Sequence, residues 1–265
     1  MKSKTVELPT KISKYEKPIP FDEKFKHPGG GGAITFTAKS FQKWIEKAMP
    51  ITKSMKPCHH TQAKNDGIII GEYVFYLRPY PTWHMASPFV FFTLRPTRTG
   101  LQIYNRTTVA IARFDAVVNI PILASQSILE PWMSLTPNEV LTLRNSVRRS
   151  KGNVAIAGLG LGWLARKVLE RKQVTHLTIV EKCDCVADFF GKSLIEDFGD
   201  RLTIVHGDAY DFDWSPFDVS LWDVWQGYGE AQDDYEFQGI RRDIESTGKI
   251  CIGWGQNVFR ETSYN

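Results

Sequence analysis

The chain has 265 residues, 42% of them hydrophobic and 12% aromatic, enough to bury one large core or two modest ones. No apolar run reaches the roughly 18 residues of a membrane-spanning helix, and the charged start MKSKTVELPTK leads into no signal-type apolar stretch, so no membrane association and a cytoplasmic protein are expected. The net charge of +4 is spread along the chain, which gives little electrostatic reason for a nucleic-acid partner and leaves one only as an option.

Residues 1–32 are rich in lysine and proline and end in HPGGGG, which predicts a flexible basic arm that orders against a partner or a second subunit. AKSFQKWIEKAM then places Phe41, Trp44, Ile45 and Met49 at helical spacing. From Asp66 to about Leu123, runs such as GIIIGEYVFYL, FVFFTL, TVAIARF and AVVNIPIL are separated by turn signals, so residues 33–130 read as a small, mostly antiparallel β domain. Cys58, His59, His60 and His84 have the chemistry of metal ligands but no zinc-motif spacing, and no metal is expected. The four cysteines are too few and scattered for a disulfide scaffold, and Cys183 and Cys185 read as packing or pocket lining. Asn105-Arg106-Thr107 matches a glycosylation acceptor by chance in such a setting.

The pattern changes at Pro131. In LTPNEVLTLRNSVRRS, Thr136 stands at a cap, Pro137 at the first helical position and Glu139 at the third, a capping box that opens a helix. Its basic end, with Arg144 and Arg148 one turn apart, reads chiefly as a solvated face and secondarily as a contact for phosphate or an acidic partner. Strands and helices then alternate: NVAIAG, GWLARKVLERK, HLTIVE, CVADFFGKSLIEDF, LTIVHGD, FDVSLWD, YEFQGIRRDIES, GKICIGW. Apolar strands without strict alternation are covered on both faces, so residues 131–265 are expected to form an α/β, Rossmann-like, doubly wound parallel sheet in the order 3-2-1-4-5. The last strand would be an open edge needing cover from the N-terminal half, its arm or another subunit, which makes a homodimer through that edge or the arm an expectation.

Gly158, Gly160 and Gly162 lie where the first of these strands turns into a helix. Glycines there let backbone approach a ligand and present amides at a helix N-terminus. A dinucleotide fingerprint needs its third glycine where Trp163 stands, so the spacing favours a nucleoside without pyrophosphate, as in enzymes that use S-adenosylmethionine. Leu159 and Trp163 belong to this turn. Glu181, followed by Lys182, ends the second strand, where a carboxylate accepts from ribose hydroxyls; Asp208, with Ala209 beside it, follows the third, in reach of an adenine amine. Asp223 ends the fourth strand between Trp222 and Trp225, placed to act as a base or to hold a cation. Trp163, Trp222 and Trp225 are either pocket walls or core.

PWMSLTPNEV, VAIAGLGLGWLA, FDVSLWDVW and IGWGQ together make the region from about Trp132 onward resemble the class I S-adenosylmethionine-dependent methyltransferase superfamily, in particular its spermidine synthase-like branch. The resemblance implies a truncated methyltransferase sheet, S-adenosylmethionine or its decarboxylated form as cofactor, an unidentified acceptor, small molecule or otherwise, and Asp223 as the catalytic carboxylate. Leu161 stands where spermidine synthases carry an aspartate, and DVWQG offers Gln226 where they carry a second acid. Methyl transfer is therefore the leading expectation, aminopropyl transfer an alternative, and a nucleoside-binding or assembly protein without catalysis a third.

Overall fold

The computed structural model describes residues 18–24, 32–80, 88–91, 94–97, 100–103, 108–227 and 230–256. Most of the arm expected at residues 1–32, His84 and the Asn105–Thr107 triplet lie outside them. In chain order the elements are β1 (Gly32–Phe36), α1 (Ala38–Ala48), α2 (Ala63–Asp66), β2 (Ile68–Ile70), β3 (Tyr73–Tyr80), β4 (Pro88–Phe91), β5 (Leu94–Thr97), β6 (Gly100–Ile103), β7 (Thr108–Phe114), β8 (Val118–Ser125) and β9 (Pro131–Ser134). There follow α3 (Pro137–Arg149), β10 (Gly152–Ala157), α4 (Trp163–Leu169), β11 (Val174–Glu181), α5 (Asp184–Phe198), β12 (Leu202–His206), β13 (Val219–Trp222), α6 (Tyr235–Ser246) and β14 (Ile250–Gly253). Among the described residues, no helix is long and apolar enough to cross a membrane.

Part of the arm is packed rather than free. Ile19 bridges to Phe36, and Phe21 is buried edge-on against Phe36 and Phe41, with ring centroids 5.2 and 4.6 Å apart. Two apolar side chains in a lysine-rich segment are enough to dock it, because edge-to-face rings add to the burial of their area. Glu23 then takes the Trp44 indole N–H at 3.1 Å and the Lys167 ammonium at 3.2 Å, tying this segment to α1 and α4.

The first half carries an antiparallel sheet ordered β2-β3-β8-β9 and a sheet in which β7 pairs parallel with β1 and antiparallel with β4. The β2–β3 hairpin turns at Gly71, whose φ of +56° belongs to the left-handed region that glycine enters without strain. β9 is the outer strand of its sheet and leads into α3, whose capping box forms between Thr136 and Glu139.

The second half is a five-stranded parallel sheet in the order β12-β11-β10-β13-β14. Successive side chains of β10 serve two cores. Val154 and Ile156 join a cluster that holds residues of α3, α4 and α5 and continues into the first half through Phe41, Phe75 and Ile122. Ala155 and Ala157 face Trp214, Trp222 and the Phe237 side chain of α6. Helices thus cover both faces, as the unbroken apolar strands require. Each large apolar side chain so buried contributes roughly 1.5–3 kcal/mol.

Candidate functional site

The candidate residues gather at the C-terminal ends of β10 to β13, where open α/β sheets hold ligands. After β10 the chain turns through Gly158, Gly160 and Gly162 with φ of +84°, +52° and +75°. Each needs glycine for its dihedral, and two also for close approach. A Cβ on Gly158 would lie 2.6 Å from the Asp223 carbonyl oxygen, and one on Gly160 would run into the Met133 thioether of β9. Gly162 caps α4 and donates to the Leu159 carbonyl at 2.9 Å.

Glu181 organises this turn. Its Oε2 accepts the Leu159 amide at 2.8 Å, and its Oε1 accepts the Cys183 amide at 2.9 Å. An ionised carboxylate has about four acceptor positions, of which these amides take two, so a hydroxyl can still approach. The Leu161 amide points at Met133 Sδ at 3.2 Å. A residue of the antiparallel sheet therefore sits on the glycine turn.

Lys182 is exposed and pairs with Asp208 at 2.8 Å. The other oxygen of Asp208 accepts the Tyr210 amide at 3.1 Å. The hydrogen bond from Lys182, then that amide, hold the Asp208 carboxyl below its usual range. Ala209 is buried, and its carbonyl accepts the Trp214 indole at 2.8 Å.

Asp223 is partly buried at the end of β13, with its amide on the Ala157 carbonyl at 3.0 Å. Burial, then the Glu139 carboxylate, pushes its carboxyl up to about 7. Glu139 reaches this neighbourhood because α3 docks over the sheet edge. Thr142, one turn further along α3, accepts the Trp254 indole at 2.9 Å, and the Trp254 amide donates to the Trp222 carbonyl at 2.8 Å. Burial raises Glu139 too, against hydrogen bonds from Ser134 and Thr136.

The three tryptophans divide. Trp163 is buried against Trp44, ring centroids 6.1 Å apart, and Trp222 is buried among Tyr210, Trp214 and Phe237. Trp225 is partly exposed and donates to Asp234 at 2.9 Å. Asp234 also accepts the Tyr210 hydroxyl and the Phe237 amide. Burial opposes its ionisation, but these donors outweigh it and hold the carboxyl low.

Sequence reasoning missed Glu139, Met133 and Asp234 as site neighbours. Glu139 was visible only as a capping acid, Asp234 carried no signal beyond a helix start, and Met133 carried none.

Cys183 and Cys185, expected to pack or to line the pocket, are joined by a disulfide beside Glu181. Cys58 is buried, and His59 pairs with Thr61 at 3.1 Å.

No protein-family model matches the chain, and no curated protein matches it. Among solved structures, a dimethyladenosine transferase from Plasmodium falciparum is 19% identical over 37% of this chain and 34% of its own, with a TM-score of 0.30. The methyltransferase of Podospora anserina bound to S-adenosylhomocysteine is 15% identical over 42% of this chain and 48% of its own, with a TM-score of 0.32. The chain thus spans between 34% and 48% of the length of these two structures. The functional reading rests on the geometry of the site.

Proposed function

We propose that this chain is an S-adenosylmethionine-dependent methyltransferase acting on an acceptor not yet identified. The observation that carries the reading is the convergence of a left-handed glycine turn, Glu181 and a carboxyl poised near neutrality on one end of a parallel sheet. Gly158 and Gly162 let the chain make the tight left-handed turn beside which a nucleoside would lie, and Glu181 offers acceptor positions to ribose hydroxyls. Gly160 fits less openly, because Met133 stands on it. Its unbranched side chain can swing aside with little cost.

S-adenosylmethionine, when bound, supplies an electrophilic sulfonium methyl. Glu181 and the turn would hold the nucleoside, and Asp208 with Ala209 would border the base. Asp223, ionised above about 7, would take the proton from the acceptor nucleophile as it attacks in line. Much of the acceleration would come from fixing the two partners in alignment.

One observation favours a second reading. Met133 occupies the Leu161 amide, as it would in a protein that kept the turn and lost the reaction. Calorimetric titration with S-adenosylmethionine, its decarboxylated form and S-adenosylhomocysteine tests both. The first reading expects saturable binding of S-adenosylmethionine, weakened about tenfold or more in Glu181→Ala, the size of a lost hydrogen bond to a charged group. S-adenosylhomocysteine as product supports methyl transfer, and methylthioadenosine would indicate aminopropyl transfer. Tight binding without turnover of any acceptor class would favour the second reading, and no binding would end the first and leave the turn as inherited architecture.

A further inference from the structure

Glu181 has a neighbour that the proposed reaction does not use. Cys183 and Cys185, at the start of α5, are joined by a disulfide with Cα atoms 5.4 Å apart, an ordinary separation for a bridge. Both are partly exposed, whereas the two free cysteines, Cys58 and Cys251, are buried. The Cys183 amide donates to Glu181 Oε1, and the opposite carboxylate oxygen holds the Leu159 amide of the glycine turn. Cys185 Sγ lies 3.5 Å from the Ile70 carbonyl, and a Cβ on Gly71 would collide with that sulfur. The pair therefore sits between the β2–β3 hairpin and the carboxylate that organises the turn.

A bridge between residues two apart closes a ring too small to remove much entropy from the unfolded chain, so it is a poor staple. Reactivity suits the location better. The first turn of the 15-residue α5 presents amide dipoles that favour a thiolate, with Glu181 and Asp184 opposing them, and both cysteines are partly exposed.

We propose that Cys183 and Cys185 are a reversible dithiol–disulfide pair, oxidised by small-molecule disulfides, whose state sets the hold of Glu181 on the glycine turn. In the oxidising direction one thiolate attacks a sulfur of the small disulfide, forming a mixed disulfide and expelling one small thiolate. The second cysteine, as thiolate, attacks the protein sulfur of that mixed disulfide and expels the other. The two electrons of the dithiol leave on two small thiols, which also take up its two protons. The bridged form fixes the backbone at 183–185 and keeps the Cys183 amide on Glu181. Opening it releases that turn of helix, and with it the carboxylate. The effect on nucleoside affinity rests on the reading of the turn as a ligand site, but the effect on the two amides does not.

The experiment uses the full chain, reduced with a phosphine and then treated with oxidised glutathione. Alkylation and peptide mass spectrometry should show a 183–185 disulfide, two hydrogens lighter, that reforms as dithiol on reduction. Amide hydrogen exchange should show Leu159 and Cys183 protected about tenfold more in the oxidised form, the size of one hydrogen bond to a charged acceptor. Cys185→Ser, which cannot bridge, should show no such change with oxidant. Two cysteines that stay alkylatable after oxidant overturn the proposal. So does a disulfide that forms while both amides exchange at an unchanged rate. Failure of S-adenosylhomocysteine to bind either form would count against the proposed function alone.

Discussion

Asp223 stands in an environment far from that of a free side chain. Its carboxyl, ordinarily ionised above 3.8, holds its proton to about 7 in the fold. Between those values the unfolded chain is charged and the folded chain is not. The unfolded state therefore binds fewer protons, and stability falls as pH rises through that window. Asp223→Asn should remove the penalty, raising stability at about pH 8 by on the order of 2 kcal/mol, a linkage value discounted for partial solvation, with little change near pH 4. Urea titration at the two pH values checks this, and an unchanged pH slope would sink it. The same variant should abolish turnover while leaving S-adenosylhomocysteine affinity nearly intact, because the carboxylate acts on the acceptor. Glu139→Gln removes the like charge that helps raise Asp223. The rising limb of the rate against pH should then move to lower pH, and a limb that stayed in place would remove Glu139 from the account. Asp223 and Glu181 were legible in the sequence because each ends an apolar strand, a local signal. Glu139 was not, since what brings it to Asp223 is the docking of α3 over the sheet edge, which no spacing within one helix records.

At the scale of elements, the strands and helices from Asn153 onward were readable because each carries its own boundary. Glycines punctuate β10 and α4, and Asp234 caps α6 with an oxygen on the Phe237 amide. The capping box of α3 was equally plain, and it has an energetic consequence. Thr136→Ala removes the acceptor of the Glu139 amide and one donor to its carboxylate. A loss of about 1 kcal/mol is expected, read as a lower midpoint in urea at constant slope. The placement of β9 was not readable, because PWMS carries neither alternation nor a turn, and its pairing with β8 depends on a partner strand distant in sequence. That pairing sets Met133 on Gly160. Met133→Ala should open the turn and strengthen S-adenosylmethionine binding several-fold, at roughly 2 kcal/mol or less of stability for a partly exposed thioether. Calorimetry on the variant decides this, and weaker binding would mean that Met133 is part of the pocket wall instead.

Across the whole molecule, the change of sequence style near Pro131 invites a picture of two independent halves, and the packing points elsewhere. One apolar cluster includes Phe41, Ile45 and Phe75 from the first half and Ile156, Phe190 and Ile252 from the second. Phe75 meets Phe190 edge-on at 5.3 Å, Trp44 approaches Trp163 at 6.1 Å, and Glu23 bonds Lys167 at 3.2 Å. These contacts join segments far apart in sequence, so periodicity could indicate which faces were apolar but not that they face each other. A fragment of residues 131–265 would expose the faces of α4 and α5 that the first half now covers. With each large side chain worth roughly 1.5–3 kcal/mol and a domain's net stability of only about 5–15, losing a few such contacts is enough to undo cooperative folding. The full chain should therefore melt in a single transition, with calorimetric and van't Hoff enthalpies in agreement. The fragment should bind a hydrophobic dye and melt broadly or not at all. Two resolved transitions in the full chain, or a fragment that melts as sharply, would show that the glycine turn is held by its own half and needs no shared core.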